Sequence, residues 1–143
     1  MHFYILGRIL AIDYGRKRVG LAVTDPLKMI ANGLTTVHSK DIFLFLADYI
    51  SKEDVETIVV GYPVNLKNEG SQSLQFINPF IKKLIDKYPE ITIDTYDERF
   101  TSKMAKMAMI EGGMKKKDRQ NKALTDKISA VIILQSYLEF KNI

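Results

Sequence analysis

Ile9-Leu10-Ala11-Ile12-Asp13-Tyr14-Gly15-Arg16-Lys17-Arg18-Val19-Gly20-Leu21-Ala22-Val23-Thr24-Asp25 is the stretch that decides the fold. Its first run, Ile9 to Ile12, is apolar without alternation, the pattern of a strand buried on both faces. Gly15 breaks that strand after Tyr14, and Val19 to Thr24 follows at once, so the two segments predict an antiparallel hairpin. Asp25-Pro26 closes the second strand, and a short third strand is expected near Thr35-Thr36-Val37.

Outward from the hairpin the pattern turns helical. Asp41 suits an N-cap, with Phe43, Leu44, Leu46, Ala47 and Ile50 at helical spacing behind it. Thr57-Ile58-Val59-Val60-Gly61 reads as a further buried strand closed by Tyr62-Pro63. Gly70-Ser71 opens a second helix whose apolar positions are Leu74, Ile77, Ile81, Leu84, Ile85 and Tyr88; Pro79 inside it should kink it or delay its start, and Pro89 ends it. Ile91-Thr92-Ile93-Asp94-Thr95-Tyr96 alternates as a strand. Thr101 or Ser102 can cap a third helix with Met104, Ala105, Ala108 and Met109 inward and Gly112-Gly113 as its stop. A Lys-rich loop spans 112–122. The last helix is expected from about Ala123 to Phe140, with Ile128, Val131, Ile132, Gln135 and Leu138 on its buried side. The order β-β-β-α-β-α-β-α-α predicts an α/β protein: one mixed sheet with helices on both faces. No linker or repeat divides residues 1–143, which reads as a single domain.

Composition removes several classes. The chain has 143 residues, 46% hydrophobic and 27% charged, enough apolar material for a core. No apolar run approaches the ~20 residues of a membrane span, and the first eight residues do not resemble a signal peptide, so the expected location is the cytoplasm, with no membrane partner. There is no cysteine, which excludes disulfides, thiolate catalysis and cysteine-bound zinc; His2 and His38 are too far apart in sequence to suggest a histidine metal site. Neither a Walker A pattern nor G-x-G-x-x-G is present. The net charge of +4 is unevenly placed: 103–127 holds eight Lys/Arg against three Asp/Glu, and Arg16-Lys17-Arg18 forms a second cluster. Such a patch is either a solvated face or a site for a polyanion, of which nucleic acid is the commonest.

Three carboxylates stand out. Asp13 ends an apolar strand, where an ionised acid needs a partner unless it is a solvated turn cap. Glu98, in Tyr96-Asp97-Glu98-Arg99, follows directly on a strand, where α/β enzymes place site residues; it can also be a loop acid paired to Arg99. Asp126 lies one turn into the last helix, where the helix dipole favours an acid regardless of function. If all three converge, their repulsion calls for a cation or a proton. Asp and Glu without His or Cys are hard oxygen ligands and select Mg²⁺ or Mn²⁺, one or two ions, the equipment of phosphoryl chemistry.

With these residues in view, the chain resembles the YqgF (RuvX-like) family. The similarity runs from the Ile9–Asp25 hairpin through Val59-Val60-Gly61-Tyr62-Pro63-Val64-Asn65 with Gly70, then Asp97-Glu98-Arg99-Phe100-Thr101-Ser102, to Asp126-Lys127-Ile128-Ser129-Ala130-Val131-Ile132-Ile133-Leu134-Gln135. Tyr62 and Phe100 stand where Leu is usual, and the first eight residues extend beyond the usual start. The resemblance implies a ribonuclease H-like fold with a five-stranded sheet of order 3-2-1-4-5, and Asp13, Glu98 and Asp126 as catalytic, metal-binding acids. It also implies a nuclease of the bacterial cytoplasm that matures the 5′ end of pre-16S ribosomal RNA, alone or on a ribosomal particle, or else resolves four-way DNA junctions.

On that reading Arg16, Lys17 and Arg18 hold the phosphate backbone beside Asp13. Arg99 either joins them or orients Glu98. Lys115, Lys116, Lys117, Arg119 and Lys122 form a basic arm on nucleic acid, and Asn65 and Gly70 lie over the substrate. Tyr14 and Tyr62 serve as base-stacking or core residues. The competing classes are a non-catalytic RNA-binding factor for ribosome assembly and an actin-like phosphotransferase, for which this chain has room for only one of the two domains needed.

Overall fold

The computed structural model describes residues 7–63, 72–97, 113, 115 and 121–141. The opening hairpin forms where its sequence predicts: β1 (Arg8–Tyr14) pairs antiparallel with β2 (Arg18–Thr24), setting Leu10 opposite Val23 and Asp13 opposite Gly20. β3 (Ala31–His38) pairs antiparallel with β2 and is longer than the three residues expected. The reason is the turn before it. The Asp25 carboxylate accepts the N–H groups of Leu27, Met29 and Ile30, folding the chain back so that pairing begins at once with Thr24 opposite Ala31. These donors, Ile30 foremost, hold the Asp25 carboxyl below the usual carboxylate range.

A 3-10 turn at Ser39–Asp41 leads into α1 (Ile42–Lys52). Asp41 occupies the N-cap position but makes no side-chain cap bond; in the 3-10 turn before it, His38 Nδ1 accepts from the Lys40 N–H. β4 (Val55–Tyr62) pairs parallel with β1, and β5 (Thr92–Asp97) parallel with β4. α2 (Gln72–Lys87) separates β4 from β5 in sequence. It runs through Pro79, which lies on its exposed side, where water can satisfy the carbonyl left without its helical partner. α3 (Lys122–Lys141) follows the expected bounds closely. The sheet order is β3-β2-β1-β4-β5. The helix expected from Thr101, the loop residues Asn65 and Gly70, and most of 112–120 lie outside the described residues.

β1 is central and feeds two cores. Leu10 and Ile12 join Leu21, Ile58 and Val60 against Ile42 and Leu46 of α1 and Ile77, Phe80 and Leu84 of α2. Ile9 and Ala11 join Ala22 and Val59 against Ala130, Ile133, Leu134, Tyr137 and Leu138 of α3. This two-sided burial explains the unalternating run at Ile9–Ile12.

The helix phases differ from expectation. α3 buries Ser129, Ala130, Ile133, Leu134, Tyr137 and Leu138, while Gln135 is exposed and Ile128, Val131 and Ile132 are only half-buried. The run Ile128–Leu134 is apolar almost all round, so hydrophobicity alone does not orient it; the small residues Ser129 and Ala130, which let the helix approach the sheet, do. In α1 the buried pair is Ile42 and Leu46, and Leu44 is 74% exposed. In α2, Phe80 is buried and Ile85 is half-exposed. Among the described residues no helix is long and apolar enough to cross a membrane.

Candidate active site

Asp13 is the sixth residue of β1, one step beyond the fully buried Ile12, so the rigid centre of the sheet fixes its backbone. Opposite it across the ladder stands Gly20. Any Cβ at Gly20 would run into the carbonyl oxygen and carbon of Asp126 and lie 3.0 Å from the Lys127 nitrogen. The missing side chain therefore lets the main chain of α3 rest on β2 beside Asp13, which brings the Asp126 carboxylate to the same end of the sheet. A glycine inside a strand is the sequence signal for such a close backbone approach.

Asp13 feels the second acid. Burial first, and then the Asp126 carboxylate, together push the Asp13 carboxyl up to about 7. Asp13 keeps part of its accessible area while sitting deep among protein atoms, so its desolvation is large but not complete. Asp126 is balanced by Arg18, whose Nε donates to Oδ2 at 3.0 Å. Both partners of this bridge are partly exposed, so it contributes modestly to stability.

Beside the acids opens a cleft of about 310 Å³ lined by Gly15, Arg16, Lys17, Arg18, Lys122 and Asp126. Its basic wall is the hairpin turn. Gly15 donates its N–H to the Arg18 carbonyl at 2.9 Å, and a Cβ there would stand 2.6 Å from that same oxygen. Ser39 fixes the turn from outside: its hydroxyl donates to the Arg16 carbonyl at 2.6 Å and its N–H to the Lys17 carbonyl at 2.9 Å. The arrangement presents two carboxylates next to four cationic side chains, which suits a phosphodiester whose charge is neutralised on one side and whose phosphorus is approached from the other.

The structure brings together Asp13, Asp126, Arg16, Lys17, Arg18 and Lys122. Lys115 is exposed and is not among the cleft residues. Glu98, Arg99, Lys116, Lys117 and Arg119 lie outside the described residues; β5 ends at Asp97, the residue before Glu98. Among the described residues no three carboxylate or imidazole groups are placed to share a cation. Tyr14 serves the core: its ring stacks on Phe80 at 4.1 Å between centroids. Tyr62 donates its hydroxyl to Asn78 Oδ1 at 2.8 Å. Gly20, Ser39 and Phe76, whose ring lies under the Arg16 guanidinium at 4.3 Å, are the contributors that sequence reasoning missed.

A five-stranded sheet of order 3-2-1-4-5, with an acid at the end of its central strand and the last helix laid across it, defines the ribonuclease H-like fold. The solved structures agree: T. thermophilus RuvC in complex with a Holliday junction substrate superposes with a TM-score of 0.58 at 16% identity, covering 94% of this chain and 96% of that one. Thermus thermophilus RuvC itself gives 0.54 at 14% identity. The family described as "RuvX: Holliday junction resolvase" matches residues 7–140. A Phocaeicola vulgatus protein named "Putative pre-16S rRNA nuclease" is 57% identical over 137 residues, covering 96% of this chain and 99% of the relative. A Bacteroides thetaiotaomicron protein of the same name is 54% identical with the same coverage. The chain belongs to the RuvX family, and with it to the hydrolases that act on nucleic acids.

Proposed function

We propose that this protein is a metal-dependent nuclease, one domain over residues 1–143, that hydrolyses phosphodiester bonds in the 5′ leader of pre-16S ribosomal RNA in the bacterial cytoplasm. The observation that carries the reading is the meeting of Asp13 and Asp126 beside the cationic cleft. The names borne by relatives more than half identical over nearly the whole chain support the RNA substrate.

The donor set fits a divalent cation. The Asp126 carboxylate raises the proton affinity of Asp13, which is the electrostatic condition a cation relieves, and oxygen donors without sulfur or imidazole suit Mg²⁺ or Mn²⁺. Asp13 and Asp126, with Glu98 as the third acid, would hold one or two ions. When bound, such an ion lowers the pKa of a water and stabilises charge on the phosphate oxygens. The remaining work falls to the chain. Arg16, Lys17 and Lys122 hold the backbone in the cleft, and Arg99, Lys115, Lys116, Lys117 and Arg119 are assigned to the same nucleic acid by their charge. Arg18 orients Asp126. The rigid β1 keeps Asp13 aimed at the reacting phosphate.

The test is cleavage of a pre-16S leader, an unrelated RNA and a four-way DNA junction with Mg²⁺, Mn²⁺ or EDTA. Cutting of the leader that EDTA abolishes is expected. Cutting of the junction alone would favour the second reading, DNA-junction resolution, which the family's printed description supports. Tight metal-independent binding with no cutting of any substrate would replace both with a binding factor. Affinity for single-stranded RNA should fall with salt on a log–log slope of about −3.5 if five phosphates are contacted, and about −4.5 on duplex DNA. A flat salt response would remove the basic surface from the mechanism.

A further inference from the structure

We propose that Phe76 of α2 is a positioning residue for nucleic-acid binding: its ring holds the Arg16 guanidinium at the cleft for a backbone phosphate. The proposal rests on the reading of the cleft as a nucleic-acid site. α2 grips the hairpin with two rings one turn apart. Phe76 lies under Arg16, with the guanidinium carbon 4.3 Å from the ring centroid, and Phe80 stacks on Tyr14 with planes 13° apart. Residues four apart on a helix share a face, so a single packed surface fixes both sides of Gly15.

The main chain of the turn is already held by Ser39 and by the Gly15–Arg18 hydrogen bond. What remains free is the Arg16 side chain, which is exposed, lines the cleft and carries the rotamer freedom of a long cation. Its place over the ring removes much of that freedom without using a donor. The ring takes none of the five guanidinium N–H groups, which stay available to phosphate oxygens. Arg18, by contrast, spends its Nε on Asp126. Phe76 thus makes Arg16 a preformed fork at a set place relative to Asp13. A lysine at 16 would keep the charge and lose the planar fork.

The test uses a labelled single-stranded leader RNA in EDTA, with binding measured from 50 to 200 mM salt. Phe76→Leu and Arg16→Lys should each weaken binding about 2- to 5-fold, the range for an exposed cation–π contact, with an unchanged log–log slope because no charge is lost. Phe76→Tyr should bind like wild type. Arg16→Ala should weaken binding and make the slope shallower by about 0.7. The Phe76→Leu/Arg16→Lys double variant should bind no more weakly than either single one. Wild-type binding by Phe76→Leu or Arg16→Lys, or additive losses in the double variant, would overturn the role of Phe76. If Arg16→Ala alone weakens binding, the cleft reading stands and Phe76 is a packing residue only. If the wild type shows no salt-dependent RNA binding, the cleft reading itself falls and the proposal with it. Should Phe76→Leu fail to fold, Phe76→Met takes its place with the same expected loss, since methionine fills the space of the ring without offering a ring face.

Discussion

Gly20→Ala is expected to reduce cleavage by about 100-fold or more and to destabilise the protein by about 1–3 kcal/mol. The added methyl would meet the carbonyl oxygen and carbon of Asp126, main-chain atoms that cannot rotate aside as a side-chain tip would. Relief comes only by lifting the start of α3 from β2, and that moves the Asp126 carboxylate away from Asp13. Displacements of about 1 Å are worth two orders of magnitude in rate when groups must be held in a reactive geometry. Gly33→Ala is the control. A Cβ there stands 3.1 Å from Cγ and 3.2 Å from Cδ of Lys127, a flexible side chain, and 3.4 Å from a Val131 methyl. It should cost less than about 1 kcal/mol and leave turnover within a few-fold, since Gly→Ala also narrows the unfolded ensemble. Turnover and thermal unfolding of the two variants decide the matter. Equal effects would mean that Gly20 holds no special relation to the acids.

Asp13→Asn should abolish cleavage and yet stabilise the metal-free protein by up to about 4 kcal/mol at pH 8. The Asp13 carboxyl rises from its ordinary 3.8 to about 7 in the folded chain, first through burial and then through Asp126. The folded state therefore binds this proton more tightly than the unfolded one. The stabilisation this provides is complete below about pH 4 and is lost as the pH climbs through 7. At pH 8 the folded wild type carries an ionised, partly desolvated acid beside another; asparagine removes that cost. The figure of 4 kcal/mol is an upper bound, because Asp13 keeps some water contact. Urea unfolding in EDTA should show the variant well ahead at pH 8 and level with wild type at pH 4. Adding Mg²⁺ at pH 8 should narrow the gap by stabilising wild type alone. A gap that does not change with pH would contradict the burial of this charge.

Sequence and structure agree most where pattern reports burial directly. The unalternating Ile9–Ile12, the break at Gly15 and the run Ile58–Val60 mark strands covered on both faces, and the sheet order followed from the family they resemble. Agreement ends where geometry depends on what touches what. The phase of α3 was lost because Ile128–Leu134 is apolar around most of its circumference, so Ser129 and Ala130 orient it by size. The extra length of β3 came from the Asp25 turn, whose three accepted N–H bonds a count of β-formers does not register. Within the site, Asp13, Asp126 and the Arg16–Arg18 cluster were legible as charges in costly or crowded places. Gly20 and Phe76 were not, since one acts by lacking atoms and the other looks like an ordinary core aromatic. Glu98 and Arg99 remain expectations.

The bridge between Arg18 and Asp126 joins residues 108 positions apart. A ribosome adding about 5–20 residues per second completes that interval in about 5–20 s. During this time the hairpin has been made, while the helix that supplies the second acid has not. The nascent chain thus carries Asp13 and its basic turn before Asp126, and the proposed pair of acids is complete only when α3 docks. The order of synthesis acts as a delay.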